Sequence, residues 1–172
     1  PCDNVESAVA WKSAIQNQTG PTALVFSRQG LPHQSRDDQQ LANVARGGYI
    51  LKDCDGDAQV IVIATGSEVG ISLAAVDTLQ QQGINARLVS MPSVDVFEAQ
   101  DADYQESVLP NSVRSRVAVE AAAAEYWGRL VGLDGKVIGM TSFGESAPGP
   151  VLMEHFGFTA ENIVETAKSI AS

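Results

Sequence analysis

The sequence is poor in cysteine, in basic residues and in long apolar runs, and each shortage argues against a class of protein. Cys2 and Cys54 are the two cysteines among 172 residues. They lack CxxC or metal-site spacing, so we interpret them as reduced thiols. Eleven Lys and Arg stand against 21 Asp and Glu, for a net charge of −10, which argues against nucleic acid because its binding depends on clustered cations. No stretch approaches the roughly 20 apolar residues of a membrane span, so no membrane association is expected.

One βαβ unit is the clearest structural signal in the chain. Residues 60–63 (VIVI) form the unbroken β-branched run typical of a strand buried on both faces of a parallel sheet. Ser67 is the expected N-cap of the following helix, and Gly83 is its expected end. Apolar residues recur on one face of that helix, namely Val69, Leu73, Val76 and Leu79. Residues 86–91 then predict the second strand.

The remaining segments predict a three-layer α/β/α domain with a five-stranded, mostly parallel sheet and one antiparallel strand. Residues 49–53 are the antiparallel strand, and their short link to residues 60–63 suggests a hairpin between the two. The other predicted strands are residues 116–120 and 136–140. The other predicted helices are residues 94–109, 121–131, 151–156 and 159–171.

A helix and a strand precede this domain. Asp3 and Glu6 resemble a capping box that opens a helix over residues 4–18, and residues 22–27 (TALVFS) predict a buried strand. No strand lies before them to complete a layer. We therefore interpret residues 1–36 as the tail of an upstream α/β domain, and residues 37–172 as the following domain.

Three polar sites are candidates for chemistry, each with a simpler alternative. The turn Thr65-Gly66-Ser67 joins a strand to a helix N-terminus, where backbone N–H groups can hold an anion, although a tight turn with a capping Ser is the simpler explanation. Glu145 is either an acid–base residue or a solvated carboxylate. Glu120 ends an apolar strand, so partial burial and a raised pKa are expected, but no second group is placed by the sequence to cooperate with it. No GxGxxG or GxxxxGK[ST] motif occurs.

Arg28 is the candidate binding residue. It directly follows residues 22–27, at the carboxyl end of the predicted strand, and ligands of open α/β sheets bind outside the carboxyl ends of strands. A guanidinium there can hold a phosphate by two charge-assisted hydrogen bonds. The alternative is a surface ion pair.

Eight segments in order over the whole chain resemble the C-terminal part of transketolase, in its bacterial form. These segments are PCDNVESAVAWK (1–12), GPTALVFSRQ (20–29), LANVARGGYILKDC (41–54), IATGSEV (63–69), RLVSMPS (87–93), SVLP (107–110), RVAVEAA (116–122) and GMTSFGESAP (139–148). They are specific jointly, although each alone is weak.

The resemblance implies a homodimeric, cytoplasmic enzyme that moves a two-carbon ketol unit between sugar phosphates, using thiamine diphosphate and Mg²⁺ or Ca²⁺. The family's GDG…N metal–diphosphate motif is not found here, so the isolated chain is expected to bind no cofactor and to be inactive. Arg28 resembles the Arg that contacts the substrate phosphate, although the segment GLPHQ after it diverges from the family pattern. The resemblance assigns no role to Ser67, Glu120 or Glu145.

Two alternatives stay open. The isolated chain is a non-catalytic module for a regulatory ligand or for assembly, or it is the C-terminal domain of another thiamine-diphosphate enzyme such as deoxyxylulose-phosphate synthase. The SRQ and GESAP segments favour transketolase over the second of these.

Overall fold

A five-stranded sheet lies between two layers of helices in a computed structural model, which describes residues 1–171. The strands are β1 (Tyr49–Lys52), β2 (Val60–Ala64), β3 (Ala86–Ser90), β4 (Arg116–Ala123) and β5 (Lys136–Met140). Their order across the sheet is β1-β3-β2-β4-β5, with β1 antiparallel to β3 and the other pairs parallel. The predicted fold class is confirmed.

Eight α-helices are found within residues 1–171. They are α1 (Asn4–Gln16), α2 (Asp38–Asn43), α3 (Glu68–Gln81), α4 (Val94–Glu98), α5 (Ala102–Val108), α6 (Gly128–Val131), α7 (Gly149–His155) and α8 (Ala160–Lys168). Two short 3₁₀ helices cover Val44–Arg46 and Ala124–Trp127. Among these described helices, none has the length and apolar character needed to cross a lipid bilayer.

The two faces of the sheet bury separate apolar cores, because successive side chains of a strand point in opposite directions. Val60 and Val62 of β2 pack with α3 and α8 on one face, whereas Ile61 and Ile63 pack with α4, α5 and α6 on the other. All five residues of β2 are buried. Burial on both faces explains why this strand is the continuous apolar run seen in the sequence.

The predicted hairpin between β1 and β2 is wrong. β1 is antiparallel as expected, but it pairs with β3 at the edge of the sheet, so the connection after β1 passes the amino end of β3. Arg87 of β3 holds that connection, its Nε and Nη2 donating to the two carboxylate oxygens of Asp53 at 2.8 and 3.1 Å. A short link between two strands therefore did not make them neighbours.

Two predicted helices also differ. Residues 121–131 begin as an extension of β4, with Ala123 paired to Met140 of β5, and become α-helical from Gly128. Strand pairing outweighs the helix propensity of the alanines there. Residues 94–109 form two helices, because Asp101 caps a new one by accepting a hydrogen bond from the backbone N–H of Tyr104.

The segment at residues 22–27 is not a strand, which corrects the prediction. It has no regular secondary structure and within residues 1–171 it pairs with no neighbouring strand, and Val25 and Phe26 are 80% and 44% exposed. The N-terminus of α1 behaves differently: Cys2, Asp3 and Glu6 are buried against the sheet domain. Residues 1–36 thus contact the rest of the chain through α1 and through Arg36, which donates to the hydroxyl of Tyr49.

Candidate functional site

The carboxyl ends of β2 and β4 form the point at which the sheet reverses its winding. β2 leads into α3 on one face, whereas β4 leads toward α6 on the other, so the loops after these neighbouring strands separate. Crevices at such switch points are the usual ligand sites of open α/β sheets. A cleft of about 490 Å³ opens here, between the strand ends, α1 and residues 22–27.

The cleft is lined by carboxylates rather than cations. Glu6, Glu68 and Glu120 line it together with the turn at residues 65–67, and its apolar walls include Val9 and Phe26. No Lys or Arg is found among the described residues of the lining. Since nothing there compensates a negative charge, the cleft by itself does not favour a phosphate-bearing ligand.

The turn at residues 65–67 does not take the form expected for an anion site. Gly66 adopts a positive φ of 54°, which suits a tight turn. Ser67 occupies the N-cap position of α3, as predicted, but it already has helical φ and ψ of −62° and −26° and its side chain makes no capping hydrogen bond. Its Oγ instead donates to Oε1 of Glu68 at 2.6 Å. The group bound beside the turn is therefore a carboxylate of the chain itself.

Glu68 connects the two strand ends. Its side chain is buried, and its Oε2 accepts a hydrogen bond of 3.2 Å from the backbone N–H of Ala121 in β4. Burial raises the pKa of Glu68 and the nearby charge of Glu120 adds to the rise, against the lowering effect of hydrogen bonds from Ser67 and Ala121. The side chain of Glu68 thus lines the cleft and links α3, which follows β2, to the backbone of β4.

Glu120 and Glu145 are not brought together at this site. Glu120 is half-buried, as expected, and accepts a 2.7 Å hydrogen bond from the indole Nε1 of Trp127. Glu145 is exposed in the loop between β5 and α7 and does not line the cleft. The arrangement contains no acid–base pair made of these two residues.

Arg28 lies immediately beyond the wall formed by residues 22–27, and it is exposed. Within residues 1–171, no hydrogen bond or ion pair engages its guanidinium. A surface ion pair, the alternative to ligand binding, is thus not formed with any described carboxylate. Five donors remain available to an external acceptor.

A buried ionic cluster near Arg28 escaped prediction from the sequence. One oxygen of Asp3 accepts from Nη1 of Arg36 at 2.7 Å and from the backbone N–H of Gln34 at 3.0 Å. The other accepts from the backbone N–H of Glu6 at 3.1 Å and caps α1. Burial alone would raise the pKa of Asp3, but these hydrogen bonds and the charge of Arg36 lower it. The capping residue recognised in the sequence thus also binds the loop that follows Arg28.

Glu6 is the second carboxylate of this cluster. Its Oε1 accepts from the hydroxyls of Tyr49 and Ser90 at 2.8 and 2.6 Å, and its Oε2 accepts from the backbone N–H of Cys2 at 2.7 Å. The expected reciprocal capping box is therefore wrong, because Glu6 does not reach the N–H of Asp3. Burial and the charge of Glu6 raise the pKa of Tyr49, which keeps its hydroxyl a donor. No signal in the sequence connects Glu6 with Tyr49 and Ser90.

The described residues do not fit a metal site. Within residues 1–171, no group of three His, Cys, Asp or Glu side chains is placed to hold a metal ion.

Comparisons with known proteins give one consistent result. Residues 47–159 match the model of the transketolase-like C-terminal domain. The chain is 59% identical over 170 residues to transketolase 1 of Escherichia coli, covering 99% of the chain and 26% of that relative. Transketolase from Leishmania mexicana superposes with a TM-score of 0.90 at 35% identity, covering 99% of this chain and 24% of that one. Pichia stipitis transketolase in complex with sedoheptulose-7-phosphate gives a TM-score of 0.89 at 34% identity, with the same coverage.

The match extends over nearly the whole of this chain but over only about a quarter of the length of these relatives. The family model covers more than half of the chain, including all five strands. The chain belongs to the transketolase family.

Proposed function

We propose that this chain is the C-terminal part of a transketolase, which transfers a two-carbon ketol unit between sugar phosphates. The observation that carries the proposal is the 59% identity to a transketolase over 170 residues. The Pichia stipitis relative, of similar structure, is described in complex with a sugar phosphate. By the same similarity, the full-length enzyme is proposed to be a cytoplasmic homodimer that uses thiamine diphosphate and Mg²⁺ or Ca²⁺.

The proposed division of labour places the cofactor outside this chain. Residues 1–36 are assigned to the end of the pyrimidine-binding domain, and residues 37–172 to the C-terminal domain. In support, α1 and residues 22–27 lie outside the five-stranded sheet, and the family match begins at residue 47. The chemistry of the thiazolium ring belongs to the cofactor, and this part of the enzyme contributes substrate contact and structural support.

Arg28 is proposed to bind the phosphate of the sugar substrate. Its guanidinium is exposed and has no carboxylate partner among the described residues. The neighbouring cleft offers carboxylates, which repel a phosphate, so the anion needs a separate cation. Losing a charge-assisted hydrogen-bonding partner costs about 1.5–3 kcal/mol, or roughly 10- to 150-fold in kcat/KM. Most of that loss should be in KM, because the phosphate lies away from the reacting carbons.

Steady-state kinetics of Arg28→Ala in a full-length enzyme carrying this chain tests the assignment. The kcat/KM for phosphorylated substrates should fall by the factor of roughly 10 to 150 given above. The kcat/KM for hydroxypyruvate with glycolaldehyde, neither of which carries a phosphate, should fall far less. Arg114→Ala is the matched control, since Arg114 is 70% exposed and pairs with Asp134. Equal losses with both substrate sets would contradict the phosphate contact.

The isolated chain is proposed to be catalytically silent. Titration calorimetry with thiamine diphosphate and Mg²⁺ should show no binding in the micromolar range, and no ketol transfer should be detected. Micromolar binding by the chain alone would refute the proposed division of labour.

A further inference from the structure

The loop at residues 28–36, here the Arg28 loop, is held at its far end mainly by Asp3, with Glu6 as a more distant second partner of Arg36 at 3.6 Å. We propose that Asp3 is a positioning residue, which fixes the Arg28 loop and through it the guanidinium of Arg28. This inference rests on the proposed phosphate contact of Arg28.

Three groups of the loop converge on the same oxygen of Asp3. Oδ2 accepts from Nη1 of Arg36 at 2.7 Å and from the backbone N–H of Gln34 at 3.0 Å, and Nδ1 of His33 lies 3.4 Å away. The side chains of Asp3 and Arg36 are 2% and 1% exposed. Because both charges are buried, they depend on this geometry for compensation.

The middle of the loop and the residues flanking Arg28 are also in contact with the chain. Ser27 and Gln29, on either side of Arg28, line a small cleft together with Asp3 and the first turn of α1. Pro32 packs over α3, since a Cβ built on Gly70 would lie 3.7 Å from its Cγ. The loop therefore runs closely along the surface between Arg28 and its anchor.

The anchor is continuous with the core of the sheet domain. Nε of Arg36 donates to the hydroxyl of Tyr49 in β1 at 2.7 Å, and its Nη1 donates to the carbonyl of Gln34 at 2.8 Å. Tyr49 in turn donates to the buried Glu6. An exposed Arg binds a phosphate better when its loop is already held in the binding conformation, because less conformational freedom is lost. The sheet domain thereby supports substrate binding without touching the substrate.

Asp3→Asn separates this role from helix capping. An Asn can still accept the hydrogen bond from the backbone N–H of Glu6, because Asn is as good an N-cap as Asp. Its NH₂ group cannot accept from Gln34 and Arg36, so the loop loses its two hydrogen bonds to Asp3, while Arg36 keeps its contacts with Tyr49 and Glu6. Asp101→Asn is a matched control: Asp101 caps α5 through Tyr104 and pairs with Arg46, away from the loop.

The test uses a full-length enzyme carrying this chain, with wild type, Asp3→Asn, Arg28→Ala and the double variant compared. For phosphorylated substrates, Asp3→Asn should raise KM about 10-fold with kcat little changed, a part of the roughly 100-fold that a 1 Å misplacement can cost. Hydroxypyruvate with glycolaldehyde should be unaffected, as should Asp101→Asn with either set. In the Arg28→Ala background, Asp3→Asn should cause no further loss, because its effect passes through Arg28.

The outcomes distinguish this inference from the function on which it rests. If Arg28→Ala lacks a phosphate-specific effect, the proposed phosphate contact fails and the role of Asp3 fails with it. If Arg28→Ala has that effect, three results for Asp3→Asn would overturn the inference alone. These are kinetics like those of Asp101→Asn, an equal loss of kcat/KM with both substrate sets, or a further loss of kcat/KM in the Arg28→Ala background. Should Asp3→Asn fail to fold, Arg36→Lys replaces it and must show the same pattern, since Lys keeps the charge but loses the planar fork.

Discussion

Removing one hydroxyl from the buried cluster should measurably destabilise the protein. Tyr49 is fully buried in β1, and its hydroxyl both donates to Oε1 of Glu6 at 2.8 Å and accepts from Nε of Arg36 at 2.7 Å. Tyr49→Phe keeps the ring and its packing but leaves two buried charged groups short of a partner. The change therefore isolates the polar contribution of one atom.

The expected magnitude follows from the charges of the two partners. Hydrogen bonds to charged groups contribute about 1.5–3 kcal/mol each, but Glu6 retains its contacts with Ser90 and Cys2 and Arg36 retains those with Asp3 and Gln34, so the net loss should be about that of one such bond. We expect the free energy of unfolding to fall by about 1.5–3 kcal/mol. For a chain of this size, that corresponds to a decrease in Tm of about 3–12 °C.

Equilibrium urea denaturation followed by circular dichroism measures the change, with an unchanged m value as the check on two-state behaviour. Tyr126→Phe is the control, because the hydroxyl of Tyr126 accepts from Arg129 at 2.9 Å but the residue is 48% exposed. That variant should change stability by less than about 0.5 kcal/mol. Equal stability of Tyr49→Phe and wild type would refute the reasoning that this cluster is a stabilising connection between α1 and the sheet.

Three further predictions concern backbone conformation, pH and the exposed N-terminal segment. Gly47→Ala should lower the free energy of unfolding by more than Gly83→Ala, and the urea midpoints of the two variants measure the difference. Both glycines have a positive φ, but a Cβ at Gly47 would lie 2.5 Å from the carbonyl oxygen of Ser93, whereas a Cβ at Gly83 would have no atom within 4 Å. Because folding lowers the pKa of Asp3, the ionised carboxylate contributes fully to stability above its unfolded pKa of about 3.9, and this contribution is lost as pH falls through the lower folded value. The difference in stability between wild type and Asp3→Asn should therefore shrink below about pH 4, as acid titrations followed by fluorescence measure. Backbone amides of residues 22–27 should exchange rapidly with solvent in the monomeric chain, since the segment pairs with no strand among residues 1–171. Strong and uniform protection of these amides would contradict this expectation.

The sequence alone was sufficient for elements whose signal is local. The apolar run of β2, the helical periodicity of α3 and the positive-φ Gly83 that ends it lie within about 25 neighbouring residues, and all were predicted close to their observed positions. The capping of α8 by Thr159, which accepts from the backbone N–H of Asn162 at 3.2 Å, is equally local. Arg28 could be selected because it follows an apolar segment and matches a family motif. Its contact with a phosphate stays a prediction.

Tertiary structure decided what depends on residues far apart in the chain. Strand order is such a property: β1 pairs with β3 instead of its nearer neighbour β2, and β4 continues through alanines because β5 offers a partner. The buried cluster is another such property, since Glu6 accepts a hydrogen bond from the hydroxyl of Ser90, 84 residues away. Local periodicity records which face of an element is apolar, but not which element covers that face or which polar group meets a buried charge. Those pairings are selected by the free energy of the whole packed domain.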